Sequence, residues 1–317
     1  MLRNRRFRRR SRRHPPVTLT AVRQAERALG EAAIVLICVT KNARAYLPSF
    51  LAHYRAMGIA RFAFVDDRSD DGTRETLAAQ ADVDLYVSPQ SFRDSAGGLL
   101  WRDELVRRYG RDRWYVSVDS DEYLVFPGSE VRPLSSFIAD IEHAGLTRAL
   151  AVMLDLYPDG SEVRAEIEPD AFPTALSPYF DGASYRVANE KFCTAVRGGP
   201  RQRVFGADMR LTKFPVIFAD AAMSFTGAGH HGPLPIQRNF SAVQAVLLHH
   251  KFPPGWQTEF RRIAERGSHF GGSGFYKDIV GHAAFGDAGS FRNAQSHRYA
   301  GSEDLIANGF MQDLRSS

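Results

Sequence analysis

The run Trp114-Tyr115-Val116-Ser117-Val118-Asp119-Ser120-Asp121-Glu122-Tyr123 is apolar for most of its length and ends in three carboxylates. It reads as a buried strand that delivers acid groups to a sheet edge. Side chains alternate across a strand, so Asp119 and Asp121 are expected on one side with Ser120 turned away. The run holds no lysine or arginine, and paired carboxylates repel unless a cation or a shared proton intervenes. Mg2+ or Mn2+ suits such a pair, because hard divalent ions take oxygen ligands and share them with phosphates. A lone Asp-x-Asp is also ordinary turn chemistry, so the metal reading needs support from elsewhere in the chain.

Two upstream segments supply it. Ala32 to Val39 is a continuous apolar run, followed by Thr40-Lys41-Asn42 and an amphipathic stretch from Leu47 to Met57. Ala60 to Thr73 is a short apolar strand entering the Asp-rich turn Asp66-Asp67-Arg68-Ser69-Asp70-Asp71-Gly72, with Asp71 or Thr73 as the cap of a helix over Arg74 to Gln80. Val83 to Val87 reads as a further strand, and Ser95 to Tyr109 as a helix entered through Gly97-Gly98. Strand, polar loop and helix in alternation predict an α/β fold around a mostly parallel sheet, with ligands at the carboxyl ends of its strands. The polar clusters at Thr40 to Asn42, Asp66 to Thr73 and Asp119 to Glu122 all fall at that edge.

These three ordered motifs, Val39-Thr40-Lys41-Asn42, Val65-Asp66-Asp67-x-Ser69-x-Asp71-Gly72-Thr73 and Val118-Asp119-x-Asp121-Glu122, resemble the bacterial branch of the family-2-type glycosyltransferases, which have the A-type nucleotide-sugar-binding fold. The resemblance covers residues 31 to 127 and thins beyond them. It implies that the first two loops hold a nucleoside, with Thr40, Lys41, Asn42, Asp66 and Asp67 on the donor, and that Asp119 and Asp121 carry a divalent ion at the diphosphate, beside Ser120. It also implies a polar residue of the Ser95–Tyr109 helix near the nucleotide, for which Asp103 is the match; an exposed helical aspartate is the other reading.

Composition agrees with a globular enzyme. The 317 residues are 44% hydrophobic and 24% charged, enough for a sizeable core. No apolar run approaches the ~20 residues that cross a bilayer, and the amino-terminal charges are not followed by a secretory apolar core. Two cysteines, Cys38 and Cys193, make neither a disulfide framework nor a zinc spacing, so a reducing, cytoplasmic setting is expected. The net charge of +5 is concentrated: eight arginines stand in residues 1–13, and the remaining chain carries −3. Residues 1–16 therefore read as a disordered arm, either a solvated tail or a peripheral contact with anionic membrane. The acidic body argues against a nucleic-acid partner, which would need a basic groove of its own.

Residues 128–317 are expected to form an acceptor-binding half over the same sheet. Leu134 to Ala144 reads as a helix, and Arg148 to Leu156 as a strand entering the turn Tyr157-Pro158-Asp159-Gly160. Arg201, Arg203 and Lys213 are candidates for a diphosphate or an anionic acceptor, with plain surface solvation as the alternative. Ala245 to Phe252 is a second apolar strand with a polar end, His249-His250-Lys251. By the resemblance, His249 completes the metal site and Lys251 meets the phosphates; His230 and His231 are a rival pair. The closing helix, Gln257 to Arg266, is expected to pack on the sheet.

The implied reaction moves a sugar from a nucleotide diphosphate donor, a uridine diphosphate sugar, to the hydroxyl of a glycan or lipid-linked acceptor, with inversion. The metal offsets charge on the leaving diphosphate, and a carboxylate must take the acceptor proton, for which Asp155 and Asp159 are candidates. Two rival readings are a nucleotidyltransferase, which releases pyrophosphate, and a non-catalytic protein that binds anionic surfaces through its arm.

Overall fold

The computed structural model describes residues 16–160, 172–227, 229–253, 255–267, 273–287 and 291–315; the arginine arm, apart from Pro16, lies outside them. Nine strands form one sheet in the order β1-β4-β3-β2-β5-β11-β7-β12-β6. They are β1 (Thr20–Arg23), β2 (Val35–Thr40), β3 (Arg61–Asp66), β4 (Val83–Val87), β5 (Trp114–Asp119), β6 (Glu122–Val125), β7 (Arg148–Asp155), β11 (Thr212–Phe218) and β12 (Ala245–His249). Small ladders pair β8 (Tyr179–Asp181) with β13 (Ser296–Arg298) and β9 (Arg186–Asn189) with β10 (Thr194–Arg197).

Six of the nine, β2, β3, β4, β5, β7 and β12, run one way; β1, β6 and β11 oppose them. The sheet is thus mostly parallel by direction, with β11 inserted antiparallel between β5 and β7. Every residue of β2 and β3 is buried, as the apolar runs Val35–Val39 and Phe62–Val65 require of strands covered on both faces. Strands β7, β11 and β12 belong to the second stretch of the chain and continue the same sheet.

The helices follow the sequence pattern closely. Helix α1 (Leu47–Ala56) has Pro48 in its first turn and buries Leu47, Phe50, Leu51 and Tyr54, one face at helical spacing. Helix α2 (Thr73–Ala78) starts behind Gly72 at φ +91°, while Asp71 Oδ1 accepts from both Thr73 N (2.9 Å) and Thr73 Oγ1 (2.6 Å). Helix α3 (Leu99–Tyr109) is four residues shorter at its start than the sequence suggests, because Gly98 sits at φ +80°. A Cβ there would lie 2.9 Å from Arg102 Nη1, so this glycine lets the entry to α3 close over a guanidinium that matters below. Helix α4 (Leu134–His143) buries Leu134, Phe137, Ile138 and Ile141 in the main core, and α5 (Gly199–Phe205) packs on β7 and β8.

The last helices depart from expectation. Helix α6 (Trp256–Arg266) does not use its apolar face on the main sheet core; it packs with α7 (Gly274–Val280) and α8 (Ala284–Asp287) in a separate aromatic cluster. Phe252 and Phe291 lie tilted with centroids 4.3 Å apart, and Trp256 meets Phe260 edge to face at 4.9 Å. Helix α9 (Ser302–Ala307) closes the described chain. No described helix is long and apolar enough to cross a membrane, and both cysteines are buried and free.

Candidate active site

Parallel strands end, and antiparallel strands begin, at the same sheet edge. The last residues of β2, β3, β5, β7 and β12, namely Thr40, Asp66, Asp119, Asp155 and His249, therefore meet the first residues of β11 and β6, Thr212-Lys213 and Glu122. Register makes this concrete: Thr40 pairs with Asp66, Val39 with Asp119, and His249 with both Asp155 and Glu122. β5 and β6 stand four places apart in hydrogen-bond order, yet only Ser120 and Asp121 separate them in sequence. The sheet must curl to bring them together, and Lys213 sits in the curl.

Lys213 Nζ donates to Asp119 Oδ2 at 2.7 Å and to Glu122 Oε1. Arg102 Nη2 donates to Asp119 Oδ1 at 2.6 Å, and Glu122 Oε2 accepts from the Asp119 backbone N–H at 3.0 Å. Burial alone would raise the Asp119 carboxyl, but Lys213, His230 and Arg102 outweigh it and hold it well below its ordinary value. For Glu122 burial prevails over Lys213, and its carboxyl is raised. The expected uncompensated pair, Asp119 with Asp121, is therefore corrected: Asp119 is neutralised by two protein cations, and Asp121 lies in the turn beyond β5 and not one strand step away.

Asp121 instead joins Glu122 and His249, whose ligand atoms all lie within 4.8 Å of one another. His249 Nε2 is 3.3 Å from Asp121 Oδ2, while its Nδ1 is held at 2.6 Å by Asp155 Oδ1. A carboxylate behind an imidazole fixes the tautomer and turns the other ring nitrogen toward the ligand, as metal-binding histidines require. Burial would lower His249, but Asp121 and Asp155 outweigh it and raise it; burial would raise Asp121, and His249 outweighs that. Two carboxylates and an imidazole fit Mn2+ and, less well, Mg2+.

The trio opens on a cleft of about 410 Å³, also lined by Thr40, Lys41, Asn42, Asp67, Asp119, Ser120 and Lys251 among the residues singled out in the sequence. Thr40 Oγ1 donates to Ser120 Oγ (3.2 Å), and Lys41 Nζ lies 3.9 Å from Asp67. Asn42 adopts φ +52° and ties the first loop to the second: Ser69 Oγ accepts from its backbone N–H (2.9 Å), and Asp70 Oδ1 accepts from its Nδ2 (2.8 Å). Lys251 Nζ donates to Tyr276 OH at 2.8 Å.

Four predicted residues stand elsewhere. Asp66 is buried behind the loop, where Arg74 donates to it at 2.6 and 3.1 Å, and it does not line the cleft. Asp103 faces away from the site and anchors the segment before Thr226, accepting from Ser224 Oγ and Phe225 N at 2.7 Å each; burial raises its carboxyl to about 6. Asp155 is fully enclosed, with Arg201 Nε at 2.6 Å on one oxygen and His249 on the other, so it has no free edge for an acceptor hydroxyl. Asp159 is exposed beside Arg292 at 3.0 Å, outside the cleft. Of the rival histidines, His231 lines the cleft but its Nδ1 is bound to the Thr212 carbonyl (2.7 Å), and His230 lies 3.8 Å from Asp119. Arg201 and Lys213 reach the cleft, whereas Arg203 pairs with Asp181 at 2.9 Å.

Three contributors escaped sequence reasoning. Glu122 was visible in the motif, but its place opposite His249 depends on a β6–β12 pairing across more than a hundred residues. Arg102 is one residue from Asp103, a 100° step that puts it on a different helical face. Trp256, Phe260 and Tyr276 roof the cleft from α6 and α7, and nothing local marks them as other than core.

No protein-family model matches the chain, and no curated protein does. Among solved structures, it is similar to 4-diphosphocytidyl-2C-methyl-D-erythritol synthase, with 12% identity and a TM-score of 0.31, over 60% of this chain and 76% of that one. It is also similar to the WbbM bifunctional glycosyltransferase in its apo form, with 12% identity and a TM-score of 0.25, over 90% of this chain and 39% of that one. Neither likeness is close enough to carry function.

Proposed function

We propose that this protein is a metal-dependent glycosyltransferase that takes a sugar from a nucleotide diphosphate donor, a uridine diphosphate sugar, and passes it to a hydroxyl acceptor with inversion. The observation that carries the reading is the convergence of Asp121, Glu122 and His249, backed by Asp155, on a cleft whose adjoining wall is the pair of loops at Thr40–Asn42 and Asp67. A nucleoside needs polar groups on a rigid strand edge, and the bond between Asn42 and Asp70 makes the two loops one surface.

In this reading Asp121, Glu122 and His249 hold a Mn2+ or Mg2+ ion, which when bound offsets the charge gathering on the departing diphosphate. Asp155 keeps His249 in the ligating tautomer and acts as a positioning residue, not as the base. Lys251, held by Tyr276, supplies a second positive charge to the phosphates. Lys213 and Arg102 fix Asp119, and through its backbone N–H they fix Glu122. Trp256, Phe260 and Tyr276 give the cleft an aromatic lining, and a bound donor that displaces water from it strengthens each of these interactions.

A thermal-shift panel of nucleotide sugars with and without Mn2+ tests the reading, since a ligand of the folded state raises the melting temperature by mass action. A rise with a uridine diphosphate sugar that requires Mn2+, followed by release of uridine diphosphate on adding acceptor, is expected. No shift with any nucleotide sugar overturns it, and pyrophosphate release from a nucleoside triphosphate would favour nucleotidyl transfer instead.

A further inference from the structure

The cleft contains cations of two kinds. Lys41, Lys213, Lys251, Arg262 and Arg266 each have a protein partner: Asp67, the Asp119–Glu122 pair, Tyr276, and Asp70 for both α6 arginines. Arg201 and Arg210 are different. Arg201 is buried, bonds Asp155 through its Nε and lies 5.8 Å over the Phe275 ring; neither of its other two guanidinium nitrogens has a hydrogen-bond partner among the described residues. Arg210 hydrogen-bonds Cys193 and lies 6.0 Å over the Phe192 ring, but it has no carboxylate within salt-bridge distance among the described residues and its buried Nε is unpartnered. Both guanidiniums line the cleft, and a buried N–H left unmatched there is costly until a ligand supplies the acceptor.

Both come from one short stretch, Gly198 to Lys213, that crosses from β10 through α5 to β11. The stretch is held close to its neighbours: Gly198 lies at φ +129°, where a Cβ would sit 2.6 Å from the Ser184 carbonyl oxygen. Its position relative to the donor loops follows from a chain of contacts. Thr40 touches Ser120, the neighbouring Asp121 faces His249, His249 binds Asp155, and Asp155 binds Arg201. Arg201 therefore stands at the far end of this chain from the nucleoside loops, with the metal trio in between. The diphosphate is spoken for by the trio and Lys251, which leaves the two arginines for whatever lies beyond it.

We propose that Arg201 and Arg210 form a subsite for an acidic acceptor, a sugar bearing a carboxylate or phosphate group. The planar guanidinium fork suits both groups, and a buried donor left unmatched discriminates against a neutral sugar. This rests on the donor reading above only for the statement that the anion sits on the acceptor side.

Calorimetry on the full chain with Mn2+, with and without uridine diphosphate, compares glucuronate and glucose 6-phosphate with glucose. The acidic sugars should bind about tenfold or more tightly than glucose, as expected for charge-assisted bonds to arginine. Arg210→Gln, which leaves the buried Arg201–Asp155 pair intact, should remove most of that preference and leave uridine diphosphate affinity within about twofold. Arg201→Lys, which keeps the charge but loses the fork, should fall between. Equal binding of acidic and neutral sugars overturns the proposal, as does an Arg210→Gln variant that loses uridine diphosphate affinity instead. A preference for uridine diphosphate glucuronate over uridine diphosphate glucose, with none among free sugars, would move the anion to the donor and also overturn it. Failure of the wild type to bind uridine diphosphate speaks against the donor reading alone, because the glucuronate–glucose comparison without nucleotide still decides this one.

Discussion

Replacing Lys213 by methionine, similar in shape but uncharged, isolates the ion cluster at the curl of the sheet. Lys213 is buried and bonds both Asp119 and Glu122. Asp119 keeps Arg102 in the variant; Glu122 keeps only a backbone N–H. Removing one partner of a buried ion pair costs about 3–5 kcal/mol when the other must stay charged. Glu122 has a cheaper route, because it can take a proton. From an ordinary value of 4.5, protonation at pH 7 costs about 3.4 kcal/mol at about 1.4 kcal/mol per pH unit. Burial already raises this carboxyl in the wild type, so the cost to the variant is smaller still, about 2–3 kcal/mol. The sign follows from linkage. A carboxyl raised in the folded state contributes stability below its unfolded value and loses it as pH rises, so the gap between wild type and variant should close as pH falls toward 4.5. Urea unfolding at pH 7 and pH 5 reads both numbers. A loss below about 1 kcal/mol at pH 7, or a gap that does not narrow at pH 5, would refute the claim that Lys213 neutralises a buried pair.

Asp155→Asn keeps the shape but removes the charge that orients His249, and should weaken Mn2+ binding by about 10- to 100-fold with little change in far-ultraviolet circular dichroism; unchanged affinity in a metal titration would remove Asp155 from the site. Asp67→Ala should weaken uridine diphosphate binding because Asp67 lines the cleft, whereas Asp66→Ala should chiefly lower the melting temperature by orphaning Arg74; calorimetry showing the reverse would restore Asp66 as the base-contacting residue. Asp103 has its carboxyl raised to about 6 from 3.8, so wild type should lose stability relative to Asp103→Asn as pH rises from 4 to 6. Parallel stability curves for the two proteins over that range would show that Asp103 ionises freely in the fold.

How much of this was legible in the sequence depended on whether the cause was local. The apolar runs Val35–Val39 and Phe62–Val65 are sufficient to specify strands covered on both faces, and Gly72 behind Asp71 specifies where α2 begins. Alternation of strand and helix then requires a mostly parallel sheet whose polar loops share an edge, and so Thr40–Asn42, Asp67 and Asp119–Glu122 line one cleft. The sequence alone thus determined which polar residues share that edge. It did not determine which acid takes which role. Asp119 is neutralised by Lys213, 94 residues away, and Asp155 is closed off by Arg201 and by His249, itself 94 residues distant. Those partners meet only because β11 inserts antiparallel between β5 and β7 and because β12 brings His249 beside Glu122. Charge compensation in a buried site is a property of distances in space. A carboxylate at a strand end looks the same in sequence whether it faces a ligand or a lysine, and the tertiary fold decided between them.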